Sequence, residues 1–157
     1  MIHSNIEVRA AQIHDVDDMF ALMLPFMESN VLITRDKDDI FEHLQEFVVA
    51  VQDDKIIGVS ALHIYGFNLA EVRSLVVSPD AQGHGAGHLL VLACEDIAKA
   101  LGVTSIFALT YVDKFFIKQG YAVVNKESLP HKVWTVCIHC PKFIHCVEVA
   151  VKNTLVP

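Results

Sequence analysis

Residues 82–88 read Gln-Gly-His-Gly-Ala-Gly-His, and the glycines at alternate positions leave the backbone of that run bare. Glycine admits positive φ and lets other atoms approach the chain closely. Where a helix begins, its free N–H groups and its dipole together attract an anion. Gly83, Gly85 and Gly87 would expose such a site, so a phosphate could rest on the amides of residues 83–88 without the protein being basic. His84 and His88 would stand beside it, where partial positive charge helps. The plainer alternative is a turn that needs glycine for geometry alone. A P-loop would carry Lys-Ser or Lys-Thr after its last glycine, and here His88-Leu89 follows. A dinucleotide fold would set G-x-G-x-x-G after an early strand, whereas this run is G-x-G-x-G in mid-chain. A second cluster lies near the C-terminus: Cys137, Cys140 and Cys146, with His131, His139 or His145 as fourth ligand, could bind zinc. The second C-x2-C of a zinc ribbon is missing, and reduced thiols packing a C-terminal flap are the alternative.

Elements must hold the glycine run in place. An apolar β-rich stretch, Ala70–Val77, leads into it, and the segment from Leu89 to Leu101 leads out with Leu90, Ala93, Cys94, Ile97 and Leu101 at helical spacing. Gly102 sits where a helix C-cap belongs, and Cys94 reads as a buried small hydrophobe. Upstream, Ile6–Ala11 predicts a strand. Residues 15–29 predict a helix through Met19, Leu22, Met23 and Phe26, ended or kinked by Pro25. Residues 35–47 predict a second short helix, and residues 47–66 a hairpin around Asp53–Asp54. Downstream come a strand at 104–110, a short helix at 112–119, a strand at 120–125 and a last strand near 145–153. The order predicts an α/β fold, an antiparallel meander followed by a βαβ-like half.

The chain has 157 residues, 53% hydrophobic, which suits one domain with a full core, 1–157, carrying a Cys-containing C-terminal segment from about 129 to 157. Net charge is −7, which argues against nucleic acid as partner, because phosphate backbones demand clustered Lys and Arg. No apolar run approaches the roughly 18 residues of a membrane span. The N-terminus lacks a basic start followed by an apolar stretch. The expectation is a cytoplasmic protein, in which structural disulfides would be out of place.

Gln82–Gly87 fits the Q/R-x-x-G-x-G/A pyrophosphate loop of the GNAT superfamily of acyl-CoA N-acyltransferases. The preceding "SLVVSPDA" resembles their cofactor-binding strand, and "FFIKQGY" resembles their Y-x-x-x-G-F motif. The element order agrees over nearly the whole chain. The resemblance implies a single-domain GNAT fold, a mixed central sheet flanked by helices, with acetyl-CoA or another acyl-CoA as donor. More narrowly, "LITR", "AEVRSLVVSPDAQGHGAG", "LTYVDKFFIKQGY" and "LPHKVWTVCIHCPKFIHC" resemble short, stand-alone amino-acid N-acetyltransferases of the N-acetylglutamate synthase type. Those enzymes acetylate the α-amino group of glutamate in arginine biosynthesis; the kinase domain of their longer relatives has no counterpart in these residues.

Acetyl transfer to an amine needs a neutral amine, a polarised thioester, a held oxyanion and a tolerated thiolate. In the family the strand before the loop splays from its neighbour. The resemblance therefore assigns the Leu75 amide to the oxyanion, and Val76 and Val77 to the pantetheine arm. It assigns Gln82, Gly83, His84, Gly85, Ala86, Gly87 and His88 to the cofactor phosphates. Glu71 is the candidate base, acting through water, or else a surface Glu at a strand start. Arg35, of "LITR", is implied to reach the acceptor's carboxylate; Arg73 could hold a second carboxylate, with Lys132 a weaker third cation. For these cations the alternative is a solvated surface charge. A tyrosine acid common in the family is replaced by Phe116, which with Phe115 would pack on the cofactor or core. Tyr111 and Tyr121 do not align with that acid, and the CoA thiolate could leave unassisted. The rival functions are the same chemistry on another amino acid, a polyamine or a protein N-terminus, or a noncatalytic acyl-CoA or metal-binding module. A homo-oligomer is left open.

Overall fold

The computed structural model describes residues 5–130, 133 and 148–155. The elements are β1 (Glu7–Ala10), α1 (Val16–Glu28), α2 (Lys37–Glu42), β2 (Phe47–Gln52), β3 (Lys55–Gly66), β4 (Leu69–Val77), α3 (Ala86–Ala100), β5 (Ser105–Thr110), α4 (Asp113–Ile117), β6 (Ala122–Val124) and β7 (Val149–Thr154). The strands join in the order β1-β2-β3-β4-β5-β7-β6. Strands β1, β2 and β3 pair antiparallel, β4 pairs β5 parallel, and β7 lies antiparallel to both β5 and β6. This is the mixed sheet with flanking helices that the family resemblance implies, and the antiparallel β1–β3 meander is the one the element order predicts. By contacts the chain divides into two compact units: Met1–Leu62 with Val72–Asp96, and His63–Glu71 with Ile97–Pro157.

In the first unit, α1 buries Val16, Met19, Met23 and Met27, one stripe at three- and four-residue spacing, against Ile40, Phe47, Val49, Val59, Ala61 and Val76. The helix runs through Pro25 to Glu28. A proline this close to the C-terminus deletes a single intrahelical bond, so the helix survives it for one further turn. The entry to α1 is tied by Arg9, which donates to both oxygens of buried Asp15 at 2.7 and 3.0 Å, while the Gln12 amide donates to Asp15 at 2.8 Å. The hairpin turn falls at Asp53–Asp54, both at positive φ (53° and 61°), as a two-residue β turn that follows the strand twist requires. On β3, Gly58 packs tightly: an added Cβ would lie 2.9 Å from Leu90 Cδ1 and 3.2 Å from the Val76 carbonyl oxygen. That absence of a side chain lets α3 lie close to β3.

Helix α3 starts at Ala86, three residues before the apolar spacing suggests. Its buried face is Leu90, Val91, Cys94, Glu95 and Ala98, whereas Ile97 is 39% exposed and Leu101 63%. The stripe is therefore rotated from the predicted one. Choosing the most hydrophobic residues at helical spacing favours isoleucine and leucine over the smaller alanine that close packing admits. Its C-terminus matches expectation: Gly102 has φ +88°, its amide donates to the Lys99 carbonyl at 3.0 Å, and the Val103 amide to Ala98 at 2.9 Å.

In the second unit, Leu69, Phe107, Leu129, Val133 and Ala150 form the core, with Tyr65, Leu109 and Val124 packed against it. No helix among the described residues is long and apolar enough to cross a membrane.

Candidate active site

Strand β4 carries an irregularity of its own. Its parallel register with β5 takes in Ala70↔Ile106 and Glu71↔Phe107. Three residues further on, Ser74 has φ +53°, a conformation that side-chain-bearing residues rarely adopt inside a strand. Such strain is found where a surrounding structure holds it for use. The Ser60 hydroxyl donates to the Arg73 carbonyl at 3.3 Å, and the Ser78 amide donates to Ile57 O at 2.7 Å. Leu75 and Val77 are half-buried and Val76 is buried.

After β4 comes a short 3-10 turn, Pro79–Ala81, and then the glycine run. The Gln82 side-chain amide donates to the Val77 carbonyl at 3.2 Å, which ties the loop back to the strand. Gly83 and Gly85 have φ +84° and +91°, and a Cβ built on either meets no atom within 4 Å. Glycine is thus required there by backbone conformation, and the space beside it is open. The Leu89 amide donates to the Gly85 carbonyl at 3.1 Å, so the amides of Gly85, Ala86 and Gly87 belong to the helix end. Ala86 is buried, while His84 and His88 are exposed. This arrangement can bind an anion through backbone N–H groups, as the glycine spacing suggests.

Arg35 is not a solvated surface charge. Its side chain is 13% exposed; Nε pairs with Asp39, and Nη1 donates to Ser74 Oγ at 3.4 Å. The guanidinium lies 4.9 Å from the centre of the Phe47 ring. The same arginine lines a concave pocket of about 410 Å³ with Phe20, Leu24, Met27, Glu28, Thr34 and Asp36. Asp39, Ser74 and Phe47 had no signal in the sequence, since each is brought to Arg35 by a different element. Asp39 also closes a small cluster with Glu42 and His43, the one set among the described residues whose ligand atoms lie close enough for a metal. Its oxygens are already engaged by Arg35 and by His43 at 3.2 Å.

In the second unit Glu71 is 7% exposed and lies inside β4. It is therefore not the surface glutamate of a strand start. Tyr65 donates its hydroxyl to Glu71 Oε1 at 3.0 Å. Phe116 is 2% exposed and packs edge-on against Phe115 at 5.1 Å and against Tyr121 at 5.2 Å. Phenylalanine offers no hydroxyl at that position. Arg73 is half-buried. Lys132, Cys137, Cys140 and Cys146 lie outside the described residues.

Residues 13–121, more than half of the chain, match the acetyltransferase (GNAT) family. The chain belongs to the GNAT acetyltransferases. An uncharacterised N-acetyltransferase of Chlorobaculum tepidum is 34% identical over 148 residues, 94% of this chain and 96% of that protein. An amino-acid acetyltransferase of Mycobacterium tuberculosis is 32% identical over 130 residues, 81% of this chain and 74% of that one. N-acetylglutamate synthase of Neisseria gonorrhoeae, solved with coenzyme A and N-acetyl-glutamate, superposes with a TM-score of 0.88 at 23% identity. The match covers 99% of this chain and 36% of that one, and at that identity it shows the fold. This GNAT protein is accordingly an acyl-CoA-dependent N-acetyltransferase.

Proposed function

We propose that the chain transfers the acetyl group of acetyl-CoA directly to the α-amino group of L-glutamate, the reaction that opens arginine biosynthesis. The observation that carries this reading is Arg35, a largely buried guanidinium in the wall of an open pocket. A buried arginine beside a cavity suits a carboxylate, with which it forms paired charge-assisted hydrogen bonds. The relatives named amino-acid acetyltransferases, and the likeness to a synthase bound to N-acetyl-glutamate, support the same acceptor. In this reading the amides at Gly83–Gly87 hold the CoA pyrophosphate, with Gln82, His84 and His88 around it. Val76 and Val77 meet the pantetheine arm, and the Leu75 amide holds the oxyanion. Glu71 removes the amine proton through water, and Arg73 serves the second carboxylate. Phe115 and Phe116 supply apolar packing, and the thiolate leaves without a tyrosine acid.

A second reading, a cationic acceptor such as a polyamine, is favoured by Glu28 and Asp36 in the same pocket. CoA release measured over an acceptor panel separates the two. Glutamate should be fastest, and Arg35→Ala should lower its kcat/KM on the order of 10- to 100-fold, the worth of one charged hydrogen bond of about 1.5–3 kcal/mol. A polyamine that outpaces glutamate and is untouched by Arg35→Ala overturns the glutamate reading.

A further inference from the structure

We infer that Tyr65 is a positioning residue for acetyl transfer, acting through Glu71; the inference rests on Glu71 being the base. The sequence motifs do not touch Tyr65. It lies on β3, across the Phe67–Asn68 turn from Glu71 on β4. Its hydroxyl donates to Glu71 Oε1 at 3.0 Å. Two aromatic contacts fix the ring that carries this hydroxyl. One face stacks on Phe107 with ring centres 5.9 Å apart and planes at 29°. His63 meets it edge-on at 4.7 Å and 78°. Phe107 is also the register partner of Glu71 across the β4–β5 pair. The strand pairing that places the Glu71 backbone therefore places the ring that orients its carboxylate.

A carboxylate at the end of three rotatable bonds loses rate when it samples orientations that miss the amine. A phenol held on an aromatic shelf removes that freedom by fixing Oε1, which sets the direction of Oε2.

Tyr65→Phe removes the hydroxyl and keeps the ring on Phe107 and His63. With the fastest acceptor of the panel and the full chain, kcat should fall on the order of 10- to 100-fold, the worth of one hydrogen bond to a charged group. The KM values for acetyl-CoA and acceptor should stay within twofold, and the melting temperature should hold within a few degrees. Glu71→Gln should lower kcat further, and the double variant should be no slower than Glu71→Gln alone, because the hydroxyl then has no base to orient. An unchanged kcat for Tyr65→Phe beside a slow Glu71→Gln overturns the inference and leaves the base intact. So does a double variant whose losses multiply. A fast Glu71→Gln overturns the base itself. A Tyr65→Phe protein whose kcat falls only in step with its melting temperature assigns Tyr65 a structural role alone, which also overturns the inference.

Discussion

Glu71 is singled out by residue type, but its setting comes only from the structure. Its position in "AEVRSLVV" marks it as a base or as a surface charge at a strand end, and the structure buries it. As the base, it must take a proton from an ammonium that is scarcely deprotonated at neutral pH. Glu71→Gln should then slow kcat most near pH 7 and recover part of the loss as pH rises and free amine becomes abundant. A pH–rate profile of the variant against the parent checks this; a constant ratio across pH would make Glu71 a positioning group. The sequence singles out Arg35 and Glu71 as candidates. Their contacts were not legible there: Phe47 and Tyr65 sit in no motif and meet Arg35 and Glu71 only in the folded chain, while Ser74 lies in the strand motif and Asp39 four residues from Arg35 without either motif recording the contact.

At the scale of elements, the junction of β4 and α3 concentrates what the sequence did reveal. Alternate glycines, a preceding apolar strand and a following amphipathic run identify a strand-to-helix turn, and positive φ at Gly83 and Gly85 supplies the physical reason. The bend at Ser74 was hidden, since a serine in a strand gives no hint of positive φ. The rotated face of α3 was hidden too, because Glu95 and Ala98 are buried where hydrophobicity alone selects Ile97 and Leu101. Gly85→Val tests the loop. The new side chain is strained at φ +91° and occupies the open space beside the backbone amides. Acetyl-CoA affinity by calorimetry should drop by tenfold or more in a variant whose circular dichroism is unaltered, the equivalent of about 1.4 kcal/mol. Undiminished affinity would remove the loop from the cofactor site.

At the scale of the whole molecule, element order was legible because most connections are short and each pattern is local. The strand order was less so: β7 enters between β5 and β6, and nothing local in residues 149–154 records which neighbours it will find. Acid stability is a whole-molecule property with a local origin. Net charge is −7 at neutral pH, so mild acid relieves self-repulsion and on that ground alone stabilises the fold. The Arg9–Asp15 pair works in the opposite direction. Hydrogen bonds from Arg9 hold the Asp15 carboxyl below its ordinary value of 3.8, and burial opposes them. A carboxylate with a depressed folded pKa stabilises the fold above its unfolded pKa and loses that contribution as pH falls through the folded one. The Arg9 contribution should therefore be intact at pH 7 and fade below about pH 4. Arg9→Met isolates it. At pH 7 the variant should melt several degrees lower, from a loss on the order of 1–2 kcal/mol, modest because the Arg9 side chain is 33% exposed. Melting both proteins from pH 7 to pH 3 should show the gap narrowing only in the acid limb. A gap that persists at pH 3 would mean that Arg9 stabilises through its packing and not through the Asp15 charge.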